Sequence, residues 1–159
     1  MKIEDNFLDQ EEFNNLQSTL MGSDFPWFYN PGIVFTDDEN KFQFIHIFYS
    51  TDKINSDCFE ALLPIIKKIN PRSLVRIKAN CGPRTEKSIL SGNHIDYDYE
   101  GCITSIFYLN TNNGFTQFKT GERVESVANR LVIFPAPTYH SGVSCTDEQV
   151  RVVINFNYF

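Results

Sequence analysis

The sequence places His94-x-Asp96 ahead of His140 and Arg151. Two imidazoles and one carboxylate can occupy one face of a metal ion and leave the opposite face open. That donor set suits a non-haem Fe(II) that must bind an oxidant and a second ligand together. An arginine in the same C-terminal region can hold a carboxylate on that second ligand. In an extended segment residues i and i+2 point to one side, so His94 and Asp96 share a pocket if SGNHID is extended. His140 follows the strand-like RLVIFP after a short Pro-containing turn and can return to the same place. The competing reading is two unrelated polar surface histidines. The chain has only three histidines, and two of them fit the pattern. The third, His46 in FQFIHIFY, reads as a packed, hydrogen-bonded residue, with a pocket wall as the alternative.

These residues need a frame, and the chain supplies two kinds of segment. Residues 9–20 read as a helix, with Asp9 as the cap, Glu12 in capping-box position, and Leu8, Phe13, Leu16 and Leu20 as the apolar stripe. Residues 56–69 read as a second helix, capped by Ser56, with Phe59, Leu62, Leu63 and Ile66 on one face and Pro71 as the stop. Residues 22–40 read as a loop around a short strand at 33–35, with a solvated acidic turn at 37–39. FQFIHIFY (42–49) is a strand by its aromatic and β-branched content. From Leu74 the pattern stays β: SLVRIKAN, CITSIFYL, RLVIFPA and VRVVINFNYF. Turn chemistry falls at Asn112-Asn113-Gly114, Thr120-Gly121-Glu122 and Ser141-Gly142. Short strands after two helices predict a mainly β jelly roll with helices on one face. The reading is one domain over 1–159, with helical support over about 1–72 and a jelly-roll core over about 73–159.

Composition agrees with a filled β interior. Hydrophobic residues make up 42% and aromatics 14%, including 15 Phe. The net charge of -6 argues against broad nucleic-acid binding, which needs a Lys/Arg surface. No apolar run approaches the roughly 20 residues of a membrane span. The segment MKIEDNFLDQEEF has early acids and no apolar stretch of the signal-peptide type. Cys58, Cys81, Cys102 and Cys145 form no CxxC pair. A cytoplasmic chain with free thiols is the expectation, over two disulfides or a zinc site.

The last strand divides sharply. Val152, Ile154 and Phe156 share an apolar face, while Arg151, Val153, Asn155 and Asn157 share the other. Burying an arginine and two amides is costly without partners. Either that face meets solvent, or a carboxylate ligand satisfies it. In CITSIFYL, Cys102, Thr104, Ile106 and Tyr108 face one way. Tyr108 is either a hydroxyl offered to the same carboxylate or a plain strand aromatic. Arg76 and Lys78 share one strand face, either reaching solvent or forming a basic edge.

Taken together these segments resemble the Fe(II)- and 2-oxoglutarate-dependent oxygenases, in particular the prolyl-4-hydroxylase-like branch. The carriers are His94-Ile95-Asp96, SIFYLN at 105–110, GFTQF at 114–118, NRLVIFPA at 129–136, His140-Ser141-Gly142 and RVVINFNYF at 151–159. FLDQEEFNNL fits more loosely. The resemblance implies a double-stranded β-helix with His94, Asp96 and His140 as iron ligands. It pairs Arg151 with the distal carboxylate of 2-oxoglutarate, joined by Tyr108. Asn155, Thr116 and Asn80 become candidates to line that pocket. Two features depart from the family pattern: GFTQF lacks the doubled glycine, and His140 to Arg151 is slightly longer than usual.

The implied cofactors are Fe(II), 2-oxoglutarate as cosubstrate and O2. The implied chemistry is oxidative decarboxylation of 2-oxoglutarate to succinate and CO2, coupled to hydroxylation of a C–H bond. The implied substrate is a prolyl or other amino-acid or protein side chain, or a small amino acid. Candidate substrate walls are 81–93 and 97–100, with Arg84, Lys87, Glu100 and Tyr97-Asp98-Tyr99 as contacts or as ordinary loop residues. The alternatives are a non-catalytic jelly-roll binding module and a nucleic-acid demethylase of the same superfamily.

Overall fold

The computed structural model describes residues 1–33 and 41–159. Along the chain run β1 (Lys2–Glu4), α1 (Gln10–Leu20), β2 (Phe28–Asn30), β3 (Gln43–Ser50), β4 (Lys53–Ile54), a 3-10 turn (Phe59–Leu62) and α2 (Leu63–Ile69). There follow β5 (Leu74–Pro83), β6 (Ile103–Tyr108), β7 (Phe115–Phe118), β8 (Arg123–Glu125), β9 (Arg130–Pro135), β10 (His140–Val143) and β11 (Val150–Tyr158). Among the described residues the strands build two antiparallel sheets. The larger runs β1-β9-β6-β11-β5-β3-β2, with β4 on β3, and the smaller runs β10-β7-β8.

β11 sits in the middle because both its faces are used. Val152, Ile154 and Phe156 join Ile77, Ala79, Cys81 and Phe107 in a core that faces α1 and α2. Phe13 of α1 meets Phe107 edge-on at 6.2 Å. Val153 turns the other way and packs with Ile106, Tyr108, Phe118, Val124, Val132 and Phe134 between the two sheets. Helices, large sheet and small sheet therefore form three layers, and the inner face of the large sheet looks toward β7, β8 and β10. Full burial of each large apolar side chain contributes about 1.5–3 kcal/mol to holding these layers together.

The first helix forms as its sequence requires. Asp9 accepts a hydrogen bond from the Glu12 amide at 2.9 Å, and Phe13, Leu16 and Leu20 are buried, as is Leu8 ahead of the helix. The second is shorter than its periodicity suggests. Pro64 has no N–H and is tolerated only in a helix's first turn, so α2 starts at Leu63 and a 3-10 turn precedes it. Ser56 does not cap that helix; its hydroxyl accepts from Cys58 N at 3.0 Å. Asn70 in the left-handed region ends α2 just before Pro71.

Two other expectations change. The segment before Leu74 is more than helical support, because β1 extends one edge of the large sheet and β3 and β2 extend the other. Ser141-Gly142 is not a turn; it lies within β10, paired to Gln117 and Thr116. The three-residue strands β1, β2 and β8 are too short to show a period. The expected strand at 33–35 and the acidic turn at 37–39 fall, apart from Ile33, outside the described residues. No described helix is long and apolar enough to cross a membrane.

Asn129 ties the N-terminal segment to the sheet. At φ 61 it donates to Leu8 O at 2.9 Å, and its side-chain oxygen accepts from Leu8 N at 2.8 Å. Asn129→Ala leaves two buried backbone groups unpaired and strains a left-handed position. It is expected to lower the unfolding free energy by about 3 kcal/mol, read as a drop in the urea midpoint at unchanged m. A loss below about 0.5 kcal/mol would contradict this account, since surface substitutions already vary by that much.

Candidate metal centre and its cavity

His94 lies outside any regular strand. A single antiparallel bridge joins it to His140: each amide donates to the other's carbonyl, at 3.0 and 2.9 Å. Asp96 follows in a bend. The expected pairing of His94 and Asp96 on one side is therefore achieved by a bridge and a bend, with no strand over SGNHID. One ring nitrogen of each histidine and one carboxylate oxygen of Asp96 lie within 4.8 Å of one another.

The two rings are set up alike. His94 Nδ1 is 3.0 Å from Gly92 O, and His140 Nδ1 is 3.0 Å from Thr138 O. A carbonyl only accepts, so each neutral ring carries its proton on Nδ1 and keeps the Nε2 lone pair free. Burial pushes the His140 pKa down, which favours the neutral, ligating form. Asp96 is held from three neighbouring strands: Arg76 donates to Oδ1 at 3.1 Å, while Thr104 and Asn157 donate to Oδ2 at 3.2 and 3.0 Å. Burial alone would raise its pKa. Arg76, the Asn157 amide and the two histidines outweigh that and hold the carboxyl below its ordinary value.

A cavity of about 230 Å³ opens on this cluster. Arg151 enters it from β11, through a narrow gap. A Cβ on Gly114 would stand 2.7 Å from Arg151 Cδ and 2.7 Å from Val143 O, so only glycine lets the arginine pass. Arg151 Nε donates to Ser126 Oγ at 2.9 Å, and a terminal nitrogen donates to Thr116 Oγ1 at 3.2 Å. Its guanidinium lies 5.6 Å from the centre of the Tyr108 ring. No carboxylate among the described residues pairs with it, and burial pulls its pKa down. The longer connection between His140 and Arg151 is absorbed by the 144–149 turn, which is pinned where Asp147 accepts from Asn113 N at 3.0 Å.

The sequence candidates fall into place unevenly. Asn80, Thr116, Asn155 and Arg151 all line the cavity with His94, Asp96 and His140. Tyr108 does not. It is wholly buried, donates its hydroxyl to Thr116 Oγ1 at 2.7 Å, and so stands behind the lining as support. Asn155 Oδ1 is buried without a hydrogen-bond partner among the described residues. Of the proposed walls, the 81–93 segment contributes Gly82, Pro83, Arg84, Thr85, Ile89 and Ser91, whereas Lys87 and residues 97–100 stay away from the cavity. Tyr97 and Tyr99 stack on each other at 5.5 Å. His46 is an inner packing residue, 2.7 Å from both Pro26 O and Ser56 Oγ. The four cysteines are free.

Arg76, Thr104 and Asn157 as supports of Asp96, and Lys78 as a lining residue, were not singled out by motif. Strand alternation carried a signal for all four, because each shares a face with a candidate: Arg76 and Lys78 with Asn80, Thr104 with Tyr108, and Asn157 with Arg151.

No family model and no curated protein matches the sequence. The fold is that of the 2-oxoglutarate- and Fe(II)-dependent oxygenases, a double-stranded β-helix. A prolyl hydroxylase from Trichoplax adhaerens, solved with a hypoxia inducible factor oxygen degradation domain peptide fragment, superposes with a TM-score of 0.71 at 15% identity, covering 99% of this chain and 82% of that one. SnoN, the non-heme alpha-ketoglutarate-dependent epimerase of nogalamycin biosynthesis, gives 0.70 at 15% identity, covering 99% and 75%. A 2OG-Fe(II) oxygenase family oxidoreductase from Burkholderia pseudomallei gives 0.66 at 11% identity, covering 97% and 81%.

Two substitutions test the geometry. Gly114→Ala forces Arg151 or the Val143 backbone to move, and is expected to cost about 1–3 kcal/mol in urea unfolding; wild-type stability would mean the cradle is looser than 2.7 Å. Lys78 carries a pKa lowered from 10.5 to about 8, by burial first and then by Arg76, with Asp96 opposing. Below pH 8 its charge weighs against the fold. Between pH 8 and 10.5 the native state releases the proton before the unfolded chain does, and the penalty fades. Lys78→Met is therefore expected to be more stable than wild type at pH 7, by roughly 1–3 kcal/mol, with the gap closing toward pH 10.5. A variant less stable than wild type at pH 7 would overturn the assignment of Lys78 as a costly buried cation.

Proposed function

We propose that the chain is an Fe(II)- and 2-oxoglutarate-dependent dioxygenase. One observation carries the reading. Arg151, desolvated and without a carboxylate partner among the described residues, opens into the same cavity as a His-Asp-His cluster with free ring nitrogens. A lone metal site would not need that cation. A buried guanidinium calls for a carboxylate, and 2-oxoglutarate offers one at the end remote from its metal-binding ketoacid group.

The residues fit the cofactors. His94 and His140 would supply two neutral nitrogen ligands and Asp96 one anionic oxygen, leaving the remaining positions of the metal open. Bound Fe(II), 2-oxoglutarate and O2 supply oxidative decarboxylation of the cosubstrate, coupled to hydroxylation of a substrate C–H bond. Arg76, Thr104 and Asn157 fix the Asp96 carboxylate, and the carbonyls of Gly92 and Thr138 fix the ring orientations. Arg151 would bind the distal carboxylate of the cosubstrate. Thr116, on which both Tyr108 and Arg151 converge, would complete that end. Asn80 and Asn155 would line the path between Arg151 and the metal. No general acid or base is required of the protein.

The substrate we favour is a prolyl or other amino-acid or protein side chain, entering past the 81–93 segment. The structural likeness to a prolyl hydroxylase crystallised with a peptide supports that choice.

Anaerobic addition of Fe(II) and 2-oxoglutarate is expected to give a weak visible charge-transfer band, and admission of air to give succinate. His94→Ala should lose the band. Arg151→Ala should keep metal binding and weaken 2-oxoglutarate by roughly tenfold or more, in line with loss of a charge-assisted pair. Wild-type protein that gives neither band nor succinate would point instead to a non-catalytic binding module.

A further inference from the structure

The register of β5 against β11 lays two rows of side chains across the cavity floor. Gly82 faces Arg151, Asn80 faces Val153, Lys78 faces Asn155, and Arg76 faces Asn157. The two ends of this ladder have assigned work: Arg151 at one, Arg76 and Asn157 on Asp96 at the other. In the Lys78–Asn155 rung between them, Asn155 has so far only a place in the lining and Lys78 has no task. Both residues line the cavity with His94, Asp96 and His140.

Neither residue is satisfied among the described residues. Asn155, nine-tenths buried, has a side-chain oxygen with no hydrogen-bond partner among the described residues. Lys78 makes no hydrogen bond or ion pair with any described residue. Asp96 does not need it, since Arg76, Thr104 and Asn157 already occupy that carboxylate. Arg76 makes matters worse for Lys78 by placing a like charge nearby. A partly buried ammonium with three free donors, opening on the cavity, calls for an anion from outside the chain, and the Asn155 amide beside it has no acceptor role among the described residues that would hold its NH2 away.

We propose that Lys78 and Asn155 form a second carboxylate subsite on the cavity floor, beside the His-Asp-His cluster and separate from Arg151. One ammonium and one amide offer the donors that a single carboxylate takes up. The backbone N–H groups of strands serve the ladders, so the rung offers no amide nest of the kind that cradles phosphate. Asn155 can present its NH2 to the anion once its amide is turned. The subsite follows from the cavity alone; its place in a reaction rests on the oxygenase reading above. The carboxylate has two sources: the ketoacid end of the 2-oxo acid, or an acidic group on the substrate.

A lysine footprint separates them. Protein loaded with redox-inert Mn(II) is acetylated at pH 8, and the rate at Lys78 is followed by mass spectrometry. Lys78 is expected to react in the free protein. If the 2-oxo acid is the source, 2-oxoglutarate and pyruvate each slow acetylation of Lys78 at least about fivefold, and Lys78→Met weakens both about tenfold in calorimetric titration. If the substrate is the source, 2-oxoglutarate protects little, and L-glutamate added over saturating 2-oxoglutarate protects Lys78 saturably. The proposal is overturned if Lys78 does not react in the free protein. It is equally overturned if none of these carboxylates changes its rate and Lys78→Met alters no affinity. The wild-type footprint stands even if the variant folds poorly. The two claims also fail separately: Arg151→Ala with unchanged 2-oxoglutarate affinity removes the oxygenase reading, while saturable protection of Lys78 leaves the subsite in place.

Discussion

The alternation of β11 is the constraint on which the rest depends. A strand has two faces, and this one commits each to a different task. Val152, Ile154 and Phe156 anchor the helices, while Arg151 and Asn155 line the cavity and Asn157 holds Asp96. A slip of one residue in its pairing with β5 would put three apolar side chains in the cavity and an arginine in the core. The core and the site therefore stabilise the same register. That coupling lets a small domain hold a cation and several amides at positions where each alone would favour unfolding.

Asp96 shows how the constraint reaches residues outside the strands. It sits in a bend, where the backbone alone would leave the carboxylate free to turn. Its orientation comes from Arg76, Thr104 and Asn157, on three adjacent strands of one sheet. The two histidines are oriented differently, through the carbonyls two residues before each and through the bridge that joins their backbones. Sheet register sets one donor and local backbone geometry sets the other two.

Much of this was legible in the chain. The β11 faces follow from period two, and the β6 division likewise. The helix at Asp9 follows from its cap and stripe. What the sequence hid had physical causes. Pro64 shortened α2 although the apolar spacing ran through it. Ser141-Gly142 carries turn chemistry, yet β7 supplies the partners that make it a strand. Tyr108 carries a hydroxyl that a sequence reading aims at a ligand; Thr116, on the next strand of the chain but in the other sheet, takes it instead. The roles of Arg76 and Lys78 depend on which partner strand faces them, and pairing of distant strands leaves no local mark.

Arg151 and the metal-type cluster stand on a rigid scaffold, and the guanidinium is fixed by Gly114, Ser126, Thr116 and the Tyr108 ring. On the proposed reading, the gap between them acts as a ruler. A diacid one carbon too short could satisfy the metal or the guanidinium but not both, leaving one of them desolvated and unpaired. Discrimination by chain length would then come from the stiffness of the sheet, without any group that recognises the missing carbon.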